Sequence, residues 1–272
     1  VVSLATGVPK VLIAGFQNGE IDAIAGKAFG QIYGSVLQRS DPGDMNSPLL
    51  INDSKGDPGY GMPILSTSNA AIGDINPKWN GSAINTITYK GISLSAQLDI
   101  REGGKIWDGT RGAMSYFGTS AESANRNQPV TFKGVAGHMD ANGNVVHYGP
   151  DGTTEISKPG PENTVATTYS QYYWQNIGSS FVGPAELSVE DGSYVRFRQI
   201  SLGYELPKNL IQRAHFTNVS ITVFENNPFL WTKYKGVDPE TSLAGPANGQ
   251  GLDYFNNPGT KSYGIRLNIG LK

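Results

Sequence analysis

The stretch Ser262-Tyr263-Gly264-Ile265-Arg266-Leu267-Asn268-Ile269-Gly270-Leu271 decides the fold. Tyr263, Ile265, Leu267, Ile269 and Leu271 alternate with Ser262, Gly264, Arg266, Asn268 and Gly270. Successive side chains of a β-strand point to opposite faces, so the ribbon has one apolar and one polar side. A tilted strand needs roughly 9–11 residues to cross a bilayer, and this alternation is long enough.

The same period recurs upstream. Ile92, Leu94, Ala96, Leu98 and Ile100 alternate with Ser93, Ser95, Gln97 and Asp99, and Ser82–Tyr89 is their expected partner through a tight turn at Lys90-Gly91. In Tyr194–Tyr204, Val195 and Phe197 hold one phase while Ile200, Leu202 and Tyr204 hold the other, which predicts a β-bulge near Gln199. Val219, Ile221 and Val223 mark a further strand, and Phe29–Leu37 a weaker one around Ile32-Tyr33-Gly34.

The connections between these strands are long (about 39–81), short (Lys90-Gly91), long (102–193), moderate (205–216) and long (228–260). Outer-membrane barrels have this asymmetry, with short periplasmic turns and longer extracellular loops, whereas a soluble sandwich has no reason to collect its long loops at one end. The fold expected is all-β: an antiparallel transmembrane β-barrel segment, 29–272, with long external loops. Residues 1–28 read as a periplasmic-side connection or a small hairpin turning at Asn18-Gly19. So few strands cannot enclose a useful lumen, and open edges in lipid leave backbone groups unpaired, so further barrel strands are expected in polypeptide beyond this sequence.

Composition agrees with many turns and strands. The chain has 272 residues, 35 of them Gly and 16 Pro, and is 38% hydrophobic. It lacks the run of about 18 apolar residues that makes a transmembrane helix, which leaves spanning strands open. With Lys+Arg 21 against Asp+Glu 23 and no basic block, nothing points to nucleic acid. Cys 0 removes disulfides and thiolate metal sites. Val1-Val2-Ser3-Leu4 has no charged and apolar regions of a signal peptide.

No catalytic constellation emerges, so no enzyme, cofactor or metal is expected. His138, His147 and His215 lack HExxH or i,i+4 partners. His138 and His147 flank the Asn142-Gly143 turn and could face each other across a hairpin, where surface residues are favoured over a metal site. Asp140–Asn144 lacks the EF-hand order and is read as a plain turn. There is no Gly-x-Ser-x-Gly elbow and no P-loop.

Several blocks, taken together, resemble the SusC/RagA type of TonB-dependent outer-membrane receptor. The longest are Asp191-Gly192-Ser193-Tyr194-Val195-Arg196-Phe197-Arg198-Gln199-Ile200-Ser201-Leu202-Gly203-Tyr204-Glu205-Leu206-Pro207 and Asn226-Asn227-Pro228-Phe229-Leu230-Trp231-Thr232-Lys233-Tyr234-Lys235-Gly236-Val237-Asp238-Pro239-Glu240. Phe29–Gly34, Gly73–Trp79 and Gly103–Trp107 are similar to three more blocks, in family order. The resemblance implies the C-terminal strands of a large plugged barrel, roughly 22-stranded in such transporters. It implies import of glycans or oligopeptides driven through TonB, a SusD-like lipoprotein as a lid, and the outer membrane of a Gram-negative bacterium of the Bacteroidota. The plug and the TonB-contacting segment belong to parts not matched here. One departure is the terminal Leu271-Lys272, where outer-membrane strands commonly end in an aromatic residue.

The site expectations follow. Ile92, Leu94, Leu98, Ile265, Leu267 and Ile269 are assigned to lipid, and Gln97, Asp99, Arg266 and Asn268 to the lumen. Substrate or lid contact is assigned to loop aromatics Trp107, Tyr116, Tyr172, Tyr173, Trp174, Trp231 and Tyr234, with Phe117, Tyr254 and Phe255 beside them, because ring faces stack on sugars. Tyr194, Tyr204 and Tyr263 are expected at the membrane interface. A helix is expected over Val165–Tyr173 with Asn163 as its N-cap. The alternative is a soluble extracellular β-rich carbohydrate-binding module, in which the apolar strand faces would be buried against a second sheet.

Overall fold

The computed structural model describes residues 1–16, 18–245 and 247–271; Lys272, the last residue of the departure noted above, lies outside them. In chain order the strands are β1 (Lys10–Phe16), β2 (Gly19–Ile24), β3 (Gln31–Leu37), β4 (Leu50–Asn52), β5 (Leu65–Asp74), β6 (Pro77–Tyr89), β7 (Ile92–Gly103) and β8 (Lys105–Asp108). Helix α1 (Gly109–Tyr116) follows, then β9 (Pro129–Val130), β10 (Val135–Met139), β11 (Val145–Tyr148), β12 (Glu155–Ile156), β13 (Thr167–Thr168) and helix α2 (Gln171–Asn176). The remainder is β14 (Val189–Asp191), β15 (Tyr194–Glu205), α3 (Lys208–Ile211), β16 (Phe216–Thr232), β17 (Leu252–Asp253) and β18 (Ser262–Leu271). Two compact units result.

One unit (76–104, 191–241 and 257–272) is built on a five-stranded sheet, β18-β16-β15-β7-β6, with every neighbouring pair antiparallel. The Lys90-Gly91 turn forms as expected: both residues have positive φ, 47° and 84°, which a two-residue type I′ hairpin demands and Gly supplies without strain. The bulge is also found. The register of β15 shifts between Phe197 and Gln199 against both of its neighbours. Strand β6 begins at Pro77, five residues ahead of the expected Ser82.

Every link between this sheet and the rest of the chain leaves from one end. Pro77 pairs with Gly103, Tyr194 with both Arg101 and Thr232, and Asn226 with Ser262, so the junctions near residues 76, 104, 191, 241 and 257 gather there. The other end has only the Lys90-Gly91 turn and the 206–215 connection containing α3.

The second unit (1–75, 105–190 and 242–256) collects the long connections. It contains the sheets β1-β2-β3-β5, β12-β11-β10-β4, β14-β8-β17 and β13-β9. Its main core joins Ile21, Ile32, Ile75, Trp107, Ala185 and Leu252, and a smaller one joins Leu37, Met62 and Ile177. Three expectations change here. The strand foreseen at Phe29–Leu37 forms as β3 but pairs with β2 and β5, not with the five-stranded sheet. The hairpin foreseen in residues 1–28 forms as β1–β2, yet it continues into β3 and enters the large sheet from the Pro77 end, the end of the long loops. The 39–81 stretch contains β4 and β5 and is no single loop.

The helix also moves. Its N-cap is Ser170, whose Oγ accepts from the Tyr173 N–H at 3.2 Å, so it starts at Gln171. Asn163 instead builds a local turn, accepting from Val165 N–H and donating to the Phe132 carbonyl. Among the described residues no helix is long and apolar enough to cross a membrane.

Candidate functional surfaces

Directly paired residues of antiparallel strands share a face, so the registers sort the large sheet into two sides. On one lie Ile87 and Tyr89 of β6, Ile92, Leu94, Leu98 and Ile100 of β7, and Val195, Phe197, Ile200, Leu202 and Tyr204 of β15. The same side continues through Ile221, Val223, Phe229 and Trp231 of β16 to Tyr263, Ile265, Leu267 and Ile269 of β18. Much of this face is bare: Ile265 is 76% exposed, Leu267 57% and Trp231 53%. Asn85 and Glu225 are polar interruptions, the latter opposite Tyr263.

Aromatic rings bound this band. Near the turn end stand Tyr89 and Tyr204. Toward the loop end stand Trp79, Tyr263 and a cluster of Phe197, Phe229 and Trp231, whose ring centroids are 5.8–6.3 Å apart. Trp79 and Tyr89 are ten positions apart on β6, which is about 33 Å of strand and roughly 25 Å of height at a ~40° tilt, the height of a barrel's apolar band.

The opposite face is polar and cross-linked. Ser82 donates to Asp99 at 2.7 Å, Gln97 to Asp99 at 3.2 Å, Gln199 to Asn226 at 2.8 Å and Asn226 to Ser262 at 3.0 Å. Thr86 and Ser95 are 2.9 Å apart, and Asn268 donates to Ser220 at 3.3 Å. Arg266 lies over the Phe224 ring, 5.5 Å from its centroid. The segment after β16 is tied to this face: Arg196 donates to Asp238 at 2.5 Å, while Arg198 bridges Asp99 (2.8 Å) and Glu240 (2.5 Å). Burial works against the Glu240 charge, but hydrogen bonds from Arg198 and Tyr194 outweigh it and hold the carboxyl below its usual range. Tyr194 therefore serves the polar side, bonded to Glu240, and not the apolar rim expected for it.

No family model matches the sequence. Over 262 residues, 90% of this chain, it is 25% identical to TonB-dependent receptor P3 of Formosa agariphila, and over 236 residues, 84% of this chain, 23% identical to TonB-dependent receptor P26 of the same organism. The chain spans only 22% and 20% of those relatives' lengths. Among solved structures, the fold matches that of the RagAB peptide transporter with a TM-score of 0.50, covering 98% of this chain and 25% of that one at 16% identity. The "open-open" state of the RagAB peptide importer gives 0.52, with 98% and 24% covered, at the same identity. The chain is thus similar to TonB-dependent receptors over most of its own length.

The expected contact aromatics divide. Trp107 is 2% exposed and forms the floor of the main core, its ring held between Gly19 and Gly109, where any Cβ would meet ring atoms at 2.7 Å and 2.2 Å. Trp174 (8% exposed) and Tyr234 (5%) are likewise packed. These three are framework residues, because their apolar area is already buried against protein. Tyr173 stacks on Phe132 at 5.1 Å, and burial pushes its hydroxyl up to about 12. Tyr116 is half-buried; Tyr172, Phe117, Phe255 and Trp231 keep exposed rings.

His138 and His147 do not face each other. His138 pairs with Val146, so His147 lies on the other side of the hairpin. His138 bonds Asp53 (2.8 Å) and Glu155 (3.3 Å) and stacks on Tyr148, while His147 meets the Lys158 carbonyl. The Asp140 carboxylate closes its turn by accepting from the Asn144 side-chain amide and from the Asn144 and Asn142 backbone N–H groups, which hold its carboxyl below the usual range. No group of three or more His, Cys, Asp or Glu among the described residues is arranged to hold a metal ion.

Sequence reasoning missed two features of the loops. One is a buried acid pair: Asp108 and Asp253 lie side by side on parallel strands β8 and β17, both 1% exposed or less. Burial pushes the Asp108 carboxyl up to about 6, with Asp253 and Glu190 adding like charge and the bond from Arg111 N–H opposing. The other is a cavity of about 290 Å³ beside α2, to which Arg126 contributes a cation. Neither had a local signal, since their members come from segments far apart in the chain.

Proposed function

We propose that this chain forms part of the wall and the external loops of an outer-membrane TonB-dependent transporter of a Gram-negative bacterium, which imports glycans or oligopeptides with a SusD-like surface lipoprotein as its lid. The observation that carries this reading is the bare apolar band, backed across one sheet by a polar face. A side chain such as Ile265 facing water leaves its whole apolar area unburied, whereas facing lipid it is solvated by its own kind. The likeness to TonB-dependent receptors supports the energy source, and the RagAB likeness supports the fold.

In this reading Ile92, Leu94, Leu98, Ile265, Leu267 and Ile269 meet lipid tails. Gln97, Asp99, Arg266 and Asn268 line a solvated lumen, where polarity is cheap. The outer edges of β6 and β18, which pair with nothing beyond the sheet among the described residues, are completed by further strands of the receptor, as lipid demands. The plug and the contact with TonB are assigned to other parts of it. A soluble carbohydrate-binding module lacks such support, because the apolar band is open instead of packed under a second sheet.

Uptake tests the reading directly. Cells expressing the intact receptor should accumulate labelled oligosaccharides or oligopeptides, and a protonophore should abolish accumulation while leaving surface binding. Accumulation indifferent to the protonophore contradicts TonB-driven import.

A further inference from the structure

We infer that a second cavity of the loop unit, between the 52–65 segment and α2, receives the ammonium-tipped side chain of a lysine in an oligopeptide. The inference rests on the import reading and narrows its substrate. The cavity has a volume of about 340 Å³. Ligand pockets begin at ~300 Å³, so it admits one side chain and not a folded chain.

One acid stands in the lining, and it is held. Asp57 is the only formally charged side chain among the described residues around the cavity. Its Oδ1 accepts from the Asn52 side-chain amide at 3.0 Å and from the Gly59 N–H at 2.6 Å, which fixes the carboxylate on its turn. Both bonds fall on Oδ1, so Oδ2 of this exposed residue remains for a ligand. Gly59 sets what lies beside the acid. The point where a Cβ on Gly59 would stand is 3.2 Å from Asp57 Oδ1 and 3.3 Å from Cε1 of Tyr172. The missing side chain thus lets carboxylate and ring edge meet around one spot. The Tyr172 residue is 38% exposed. Asn176, one turn further along α2, donates to the Tyr172 carbonyl at 2.9 Å and keeps its own Oδ1 as a further acceptor on the wall.

The lining selects the ligand. An accessible aromatic ring and a carboxylate with a free oxygen attract a cation. A guanidinium fork matches both oxygens of a carboxylate, whereas an ammonium is a point charge that needs one, and Oδ1 is taken. Much of the remaining wall is aliphatic: Ile64, Leu65 and Val182 line it, the last two 38% and 50% exposed. The aliphatic stem of a lysine covers such a wall while its charged head reaches Asp57. The amine of a hexosamine or of a peptide N-terminus has no such stem and leaves this surface bare.

Calorimetry on the intact receptor in detergent provides the test. The main probes are N-acetylated Ala-Lys-Ala and N-acetylated Ala-norleucine-Ala, which keeps the stem and lacks the ammonium. Free tri-alanine and a disaccharide of glucosamine carry the amine without the stem. The lysine peptide should bind at least about ten-fold tighter than the norleucine peptide, as for a hydrogen bond to a charged group. Asp57→Asn, which keeps an acceptor for Gly59 N–H, should reduce it to the norleucine level, and Tyr172→Leu should weaken it several-fold. Heat-modifiable migration shows whether each variant is folded; where one is not, the wild-type ratio of lysine to norleucine probe decides alone. Equal affinity for the two acetylated peptides, or indifference of folded Asp57→Asn, overturns the inference. Asp57-dependent binding of tri-alanine or the glucosamine disaccharide as tight as that of the lysine peptide overturns the side-chain assignment. A receptor that imports without preferring lysine refutes this site alone; one that prefers lysine but does not import refutes the import reading alone.

Discussion

Replacing Leu267 by Arg probes the solvent of the apolar band. Leu267 lies four positions from Tyr263 on β18, opposite Ile221. That is about 13 Å along the strand and about 10 Å of depth at a ~40° tilt, close to the middle of a ~25 Å apolar band. Arg near the midplane of a barrel's lipid face costs ~2–4 kcal/mol, an equilibrium shift of about 30- to 700-fold. Its neighbour Asn268 faces the other way, with one long bond to Ser220 at 3.3 Å. Asn268→Arg should cost no more than ~0.5 kcal/mol, as for other surface substitutions. Both variants of the intact receptor are folded into phosphatidylcholine vesicles, and the folded fraction is titrated with urea by heat-modifiable migration. Equal displacement of the two midpoints would refute the assigned faces, and with them the claim that lipid solvates this side of the sheet.

Three further outcomes follow from packing and charge. Trp107→Ala should destabilise the loop unit by about 3–5 kcal/mol, as for large aromatic truncations, seen as faster limited proteolysis of 105–190; a fully folded variant with only weakened ligand binding would restore Trp107 as a contact residue. Asp238→Ala removes the 2.5 Å partner of Arg196 in a nearly dry place and leaves it only the longer 3.5 Å contact with Glu240, and breaking a buried pair costs up to roughly 3–5 kcal/mol; a urea midpoint unchanged from wild type would contradict the burial. Asp108 favours its neutral form in the fold, so its stabilising effect is complete below its unfolded value near 3.8 and is lost as pH rises through about 6. The shift corresponds to about 3 kcal/mol, so the loops should resist protease better at pH 5 than at pH 8, and Asp108→Asn should remove the difference. Equal protection of the wild type at both pH values would show that Asp108 ionises normally.

The sheet was legible because its strands have two different surroundings. Alternation in β7 and β18 survives only where one face is apolar and the other polar for a full strand, and the phase slip in β15 was readable for the same reason. The loop unit offers no such regularity. Its strands β9, β12, β13 and β17 are two residues long, too short for a period, and β4 and β8 pair in parallel with β10 and β17, far along the chain. β3 could be read as a strand but not assigned a sheet, because its local pattern is the same whichever neighbour pairs with it. The burial of Trp107, Trp174 and Tyr234 was hidden for a related reason. A tryptophan that stacks on a ligand and one that fills a core look alike until Gly19, distant in sequence, is found against Trp107.

The two longest blocks of family likeness, 191–207 and 226–240, prove to be halves of one construction. Val195 and Phe197 face the apolar side, and Arg196 and Arg198 the polar side. The register shift then leaves Arg198 unpaired and turns Gln199 to the polar side as well, so that Ile200, Leu202 and Tyr204 regain the apolar face. Without the extra residue, everything beyond Phe197 would remain in its first phase and place Ile200 and Leu202 among the polar groups. The bulge thus gathers Arg196, Arg198 and Gln199 on one side within four positions, where the first two bind Asp238 and Glu240. Buried ion pairs contribute little net stability against an apolar equivalent. What this network supplies is position: it fixes the chain after β16 against the polar face, and so determines where the last long loop begins.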